Sequence, residues 1–158
     1  MISMISSVGK NRELGKNNSL IWHFKEDMKF FKDTTMGHTV VMGLNTYKSL
    51  PGDLPGRHII VVSFDPVNGV NTVNGIETIV EKYENSEEEI FICGGASIYR
   101  QFLPYASKLY LTEIDAICND ADTFFPEFDK DEWRKTFIEA HNTKDINYKM
   151  YLYERKII

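Results

Sequence analysis

Short β-type runs and helical patterns take turns along almost the whole chain, and this alternation limits the available folds more than any other feature. The β-type runs fall at residues 1–7, 39–43, 58–63, 71–74, 90–93 and 108–115, with helical patterns between them at 24–35, 45–50, 76–83 and 96–105. Two longer β-type runs follow, at 133–141 and 148–156. The turn-rich "NTKDIN" between them is the mark of a closing antiparallel hairpin. Such alternation predicts an α/β domain with a largely parallel sheet edged by an antiparallel pair. Ligands in sheets of this kind gather at the carboxyl ends of the strands.

Length and charge narrow the function. A chain of 158 residues is one domain's worth, so residues 1–158 are read as a single domain with a real core. A net charge of −5 offers no general attraction to nucleic acid or anionic membranes. The opening "MISMISSVGK" lacks the basic region and long apolar stretch of a signal peptide, and the longest aliphatic run, Ile59 to Val62, is too short to span a bilayer. A cytoplasmic protein is expected. The acidic "EKYENSEEE" at 81–89 reads as a helix end and its solvated connection. Cys93 and Cys118 form no Cys-x-x-Cys pair, and His23, His38, His58 and His141 lack ligand spacing, so no metal site is expected. No nucleophile with a positioned base is legible, which leaves the chemistry to a bound organic cofactor or to none.

One residue stands out of place. In "SLIWHFKEDMKFFKDTT" the residues Phe24, Met28, Phe31 and Thr35 recur at helical spacing and draw a core-facing stripe, with Lys25, Glu26, Lys29 and Lys32 opposite. Asp27 falls inside the stripe. Acids in a first helical turn are common, because they favour the positive end of the macrodipole. The alternative is a carboxylate with no cationic neighbour on an apolar wall, waiting for a ligand to pair with.

Two strand ends add to this. "TVVMGLNTYKSL" passes through Gly43 into a helix, and "IFICGGASIYRQF" passes through Gly94-Gly95 into the next. Each offers backbone N–H groups at a helix start, with glycine removing the side chain that would block a phosphate. Either could be only a tight turn, and neither fits a standard phosphate-loop pattern. Two in one small domain suit a ligand with more than one phosphate. Arg57, after a Pro-Gly turn in "LPGRHIIVVS", can offer a planar fork to a carboxylate or can simply be a surface arginine. Trp22 is by default a core anchor.

In order and spacing, "LIWHFKEDMKFF", "VVMGLNTYKSL", "LPGRHIIVVS", "IFICGGASIY", "LYLTEIDA" and "ADTFFPEF" together resemble dihydrofolate reductase over essentially the full chain. The resemblance implies a central eight-stranded, mostly parallel twisted sheet with a C-terminal antiparallel hairpin, flanked by four helices. It implies hydride transfer from NADPH to 7,8-dihydrofolate, giving tetrahydrofolate for one-carbon and thymidylate metabolism, with dihydrofolate and antifolate inhibitors as the small-molecule partners. No nucleic-acid or membrane partner is implied, and the expected state is a monomer. By resemblance Asp27 holds the pterin's 2-amino group and adjacent ring nitrogen, Thr112 joins it, and Trp22 holds an ordered water nearby. Ile5, Met28, Phe31, Leu50 and Leu54 wall the pterin and aminobenzoyl rings, and Arg57 grips the glutamate α-carboxylate. On the cofactor side stand Ser7, Gly43, Leu44, Asn45, Thr46, Ser49, Ser63, Phe64, Cys93, Gly94, Gly95, Ala96, Ser97, Ile98 and Tyr99, with Tyr99 beside the nicotinamide. Residues 8–23 match a mobile loop closing over the nicotinamide, with Leu14, Gly15, Ser19 and Leu20 facing the site and Asp122 in a supporting loop. A cis peptide between Gly94 and Gly95 is expected on the same ground.

The implied mechanism has no covalent step: nicotinamide C4 is aligned with pterin C6, and Asp27 favours protonation of N5 through water. Tyr99 favours the positive charge developing on the nicotinamide ring. The chain also departs from the family. Ile21 stands where a proline is usual and Ala121 where a glycine is frequent. Leu44, Phe64 and Ser97 stand where many bacterial members bind the 2′-phosphate of NADPH, commonly with arginines at the first and third. Two other readings remain open at this stage, a pterin or diaminopyrimidine reductase of the same fold and a non-catalytic nucleotide-binding module. Arg57 counts against the first. The intact Trp22, Asp27, Tyr99 and Thr112 count against the second.

Overall fold

The computed structural model describes residues 1–157. Its first apolar run becomes β1 (Ile2–Val8), whose residues 2–5 are all buried, so this strand must be covered on both faces. It is. The chain continues through β2 (Glu13–Lys16), β3 (Ser19–Leu20), α1 (Lys25–Thr35), β4 (Thr39–Gly43), α2 (Leu44–Lys48), β5 (His58–Val62) and β6 (Asn71–Val73). Then come α3 (Glu77–Tyr83), β7 (Ile90–Ile92), α4 (Ala96–Phe102), β8 (Lys108–Ile114), β9 (Thr123–Phe124), β10 (Trp133–Thr143) and β11 (Ile146–Arg155). Eight strands form one sheet in the order β10-β11-β8-β1-β7-β4-β5-β6. Only β11 runs against the rest, pairing antiparallel with both β8 and β10. The mostly parallel sheet, the C-terminal antiparallel pair and the four helices are as expected from the sequence. No helix among the described residues is long and apolar enough to cross a membrane.

Alternation along β1 divides the core. Ile2, Met4 and Val8 point to one face and pack with Ile98, Tyr99, Phe102, Leu109, Leu111 and Tyr153. Ile5 points to the other face, packing with Val40, Met42 and Phe91 against Phe31, Leu50 and Leu54. Phe24, just before α1, stacks on Tyr148 with ring centroids 4.5 Å apart and fixes the start of that helix. Glu26 and Asp27 lie in its first turn, and Thr35 is buried at its last.

Several boundaries and one element differ from expectation. The helix expected over 96–105 ends at Phe102, and a 3₁₀ turn over Leu103–Tyr105 replaces its last turn, because Pro104 has no N–H to continue the α ladder. The hairpin strands run into "NTKDIN", pairing Asn142 with Asn147 and Thr143 with Ile146, so the turn shrinks to Lys144 and Asp145. Met28, expected on the core stripe, is 61% exposed. A second sheet of three short strands, β3-β2-β9, was not expected at all.

Candidate active site

The geometry around Asp27 begins with register. In the parallel ladder of β1 and β8, Ser7 is the partner of Thr112, so their side chains stand side by side on the face that α1 covers. Asp27 projects onto that pair. Thr112 Oγ1 donates to Asp27 Oδ1 at 2.6 Å, and Ser7 Oγ donates to Asp27 Oδ2. No lysine, arginine or histidine among the described residues forms an ion pair with Asp27. Burial pushes its carboxyl above the ordinary value, and the two hydroxyls pull the other way. One donor sits on each oxygen, so each retains a lone pair for a ligand that presents two parallel N–H groups. Ser7, placed on the cofactor side by resemblance, thus turns its hydroxyl to the carboxylate.

The expected apolar wall assembles around this group. Ile5, Phe31, Leu50 and Leu54 share one cluster with Tyr47 and Cys93. Burial pushes the Cys93 thiol up to about 12, which makes it a small apolar lining residue and no nucleophile. Met28 lies one helical turn before Phe31 on the same side of α1 and is open to solvent. Arg57 donates only to Pro55 O (3.3 Å) and Thr35 Oγ1 (3.4 Å) and forms no ion pair among the described residues. Its guanidinium remains available for an anionic ligand group.

The two glycine turns lie side by side. β4 and β7 are neighbours, and Gly43 N donates to Gly94 O at 2.8 Å. Neither α2 nor α4 has a side-chain cap, and the Gly94–Gly95 peptide is cis, as expected. Gly94 has φ +106°, and a Cβ there would meet the Tyr99 ring at 3.1 Å; a Cβ on Gly43 would meet Ile98 at 3.1 Å. Tyr99 is buried, donates to Ile5 O at 2.6 Å, and has its phenol pKa raised by burial. Leu44, Thr46 and Ala96 are half-buried at these turns, while Asn45, Ser49 and Ser97 are exposed. Ser63 follows β5, and Phe64 beside it is 90% exposed. Two adjoining uncapped helix starts, with glycine at the closest approach, fit a ligand with a pyrophosphate.

The loop from Val8 to His23 is built as the β2–β3 hairpin leaning on β9. Leu14 is buried, Gly15 is enclosed by Ser19 and Thr123, and Leu20 is 58% exposed. Asp122 ties the loop twice: Asn17 N donates to its carboxylate at 2.9 Å, and its own N–H donates to Gly15 O at 3.0 Å. Trp22 is half-buried against Phe24, Ile114, Tyr148 and Met150. Glu13, which no pattern in the sequence marks, is a fully buried carboxylate that accepts from Asn11 N (2.6 Å) and Cys118 N (2.7 Å). Nothing in "GKNRELGK" signals this, because a lone glutamate there reads as surface. A cavity of about 900 Å³ on the opposite face, lined by Arg12, Glu113, Phe125 and Tyr151, contains none of the expected residues. Its charges include the self-contained pairs Lys10–Asp115 (2.8 Å) and Arg12–Glu127 (3.1 Å).

The family model described as dihydrofolate reductase matches residues 1–155. A dihydrofolate reductase of Bacillus subtilis is 37% identical over 99% of this chain and 95% of its own length. Dihydrofolate reductase HdrB of Haloferax volcanii is 37% identical over 97% of this chain and 82% of its own. Among solved structures, a dihydrofolate reductase from Enterococcus faecalis, complexed with NADP(H) and RAB-propyl, superposes with a TM-score of 0.88. That match covers 99% of this chain and 97% of the other at 29% identity. A carboxylate on an apolar wall, paired glycine turns and a full-length family match lead to one conclusion: the chain belongs to the dihydrofolate reductase family.

Proposed function

We propose that this protein reduces 7,8-dihydrofolate to 5,6,7,8-tetrahydrofolate at the site built around Asp27, with NADPH as the source of hydride. The observation that carries the reading is Asp27 itself: an unpaired carboxylate on an apolar wall, held by two hydroxyls, with one lone pair free on each oxygen. The 2-amino group and neighbouring ring N–H of a pterin fit those positions. Ile5, Phe31, Leu50, Leu54 and the open Met28 flank the rings, and Arg57 holds the glutamate carboxylate.

NADPH, when bound, supplies the hydride. Gly43 to Thr46, with Ser49, would hold one part of the dinucleotide, and Gly94 to Tyr99 would hold the other. Ser7, Ser63, Phe64 and Cys93 complete that lining. Asp27 fixes the pterin's orientation and, through water held near Trp22, favours the protonated state of N5. Tyr99 would stand beside the nicotinamide of the bound cofactor, where its ring would favour developing positive charge. Leu14, Gly15, Ser19 and Leu20 keep bulk water from the reacting atoms.

The test is direct. Protein mixed with dihydrofolate and NADPH should consume the reduced-nicotinamide absorbance, and Arg57→Ala should raise the KM for dihydrofolate with little change in kcat. Failure of the parent to turn over would reject the reading. We propose further that residues 1–158 act as one domain, as a monomer in the cytoplasm. Light scattering in solution checks the monomer, and fractionation of cells checks the compartment.

A further inference from the structure

Asp27 has two protein donors, and they differ in kind. Thr112 is the partner the family resemblance supplies. Ser7 stands on the adjacent strand at the matching register position, its side chain directed to the same face. We propose that Ser7 is a positioning residue for Asp27: its hydroxyl fixes one carboxylate oxygen and holds the carboxylate in its ionised form. The assignment extends the reading of the Asp27 site given above and rests on it.

The geometry carries the inference through a count of lone pairs. A carboxylate offers about four acceptor positions. Thr112 fills one on Oδ1 and Ser7 one on Oδ2, so one acceptor position remains on each oxygen for a ligand with two N–H groups. Without the Ser7 hydroxyl, Oδ2 has no protein donor, in a position with no cation to compensate. Among the described residues Tyr99 on α4 and Tyr148 on β11 feel the Asp27 charge, both neutral phenols, and Tyr148 is near Glu26 and Glu139 as well. None of these stabilises a negative charge. Hydrogen bonds to the charged form are what oppose the effect of burial, and Ser7 supplies one of two.

The consequence is a pH range set from β1. Serine and alanine are close in size, so Ser7→Ala removes the donor while leaving the strand its packing. The test is carboxyl-¹³C NMR of aspartate-labelled, ligand-free protein across the pH range, with the Asp27 signal identified by its loss in Asp27→Asn. In Ser7→Ala the Asp27 midpoint should rise by about one to two pH units, the size expected for one hydrogen bond to a charged group. Ser7→Thr, which keeps a hydroxyl, should titrate with the parent. The midpoint of kcat/KM against pH should move upward in Ser7→Ala as well. Should Ser7→Ala not fold, Ser7→Cys, a poorer donor of similar size, should move the midpoint in the same direction. An Asp27 midpoint unchanged in whichever of these donor-depleted variants folds overturns the assignment. Loss of parental activity on dihydrofolate would instead overturn the proposed reaction, and the NMR midpoints would still decide the role of Ser7.

Discussion

At the scale of single residues, Asp27 links activity and stability with opposite signs. Replacing it with asparagine keeps shape but removes the charge that favours a protonated pterin, so turnover at neutral pH should fall about 10²-fold or more. Partial recovery is expected in acid, where substrate arrives already protonated; a pH–rate profile of both proteins checks this. Stability should move the other way. The folded pKa of Asp27 is raised, so ionising it costs stability. That cost begins as pH climbs through the ordinary carboxylate value and is complete above the folded one. Asp27→Asn should therefore melt higher than the parent at about pH 8 and with it at about pH 3, as calorimetry would read. Cofactor choice belongs to this scale too. Leu44, Phe64 and Ser97 offer no cation, and each lost charged hydrogen bond is worth roughly 1.5–3 kcal/mol. NADPH should be preferred over NADH by a narrower margin than in relatives with two arginines, and Leu44→Arg should tighten NADPH about tenfold or more. Steady-state kinetics with both cofactors would decide it.

At the scale of elements, the buried Glu13 joins the loop after β1 to the segment before β9 through two backbone N–H groups. Glu13→Ala orphans both donors and should cost about 2–4 kcal/mol in urea unfolding. The loop should also loosen, seen as faster amide exchange at Asn11 and Cys118. None of this was legible beforehand, for a physical reason. Strands of two to four residues such as Ser19–Leu20 are too short to show a period, and both of those side chains are exposed. The central strands β1, β4 and β7 were legible because each is an apolar run bounded by turn residues, and a parallel sheet buries such runs on both faces. Asp27 was legible as a break in a helical stripe. Ser7 was not, because a serine inside "MISSV" looks like any other strand residue until the β1–β8 register sets it beside Thr112. The hairpin boundary failed because polar residues such as Asn142 and Asn147 pair across an exposed ladder as readily as apolar ones.

At the scale of the whole molecule, the cofactor site proposed above draws on β4, α2, β7 and α4, so binding should hold the sheet's centre and one flank together. NADPH at a hundredfold excess over its Kd adds about 2.7 kcal/mol. For a chain of this size that should raise Tm by roughly 5–11 °C, which a melt with and without cofactor measures. A rise confined to NADPH, and absent with NADH at equal concentration, would locate discrimination in binding and not in the chemical step.

The sheet order also sets a timetable for synthesis. β1 sits between β7 and β8, so the first strand made occupies the middle of the finished sheet. Its earliest neighbour begins at Ile90, 82 residues after Val8, and its second ends at Ile114, 106 residues after Val8. At about 5–20 residues per second, the second neighbour is complete only roughly 5–20 s after β1 leaves the synthesis site. During that interval "ISMISSV" is an apolar strand with both edges open, a natural substrate for the chaperones that meet nascent chains. Ser7, which donates to Asp27, is thus made 105 residues before Thr112, its partner in the β1–β8 ladder.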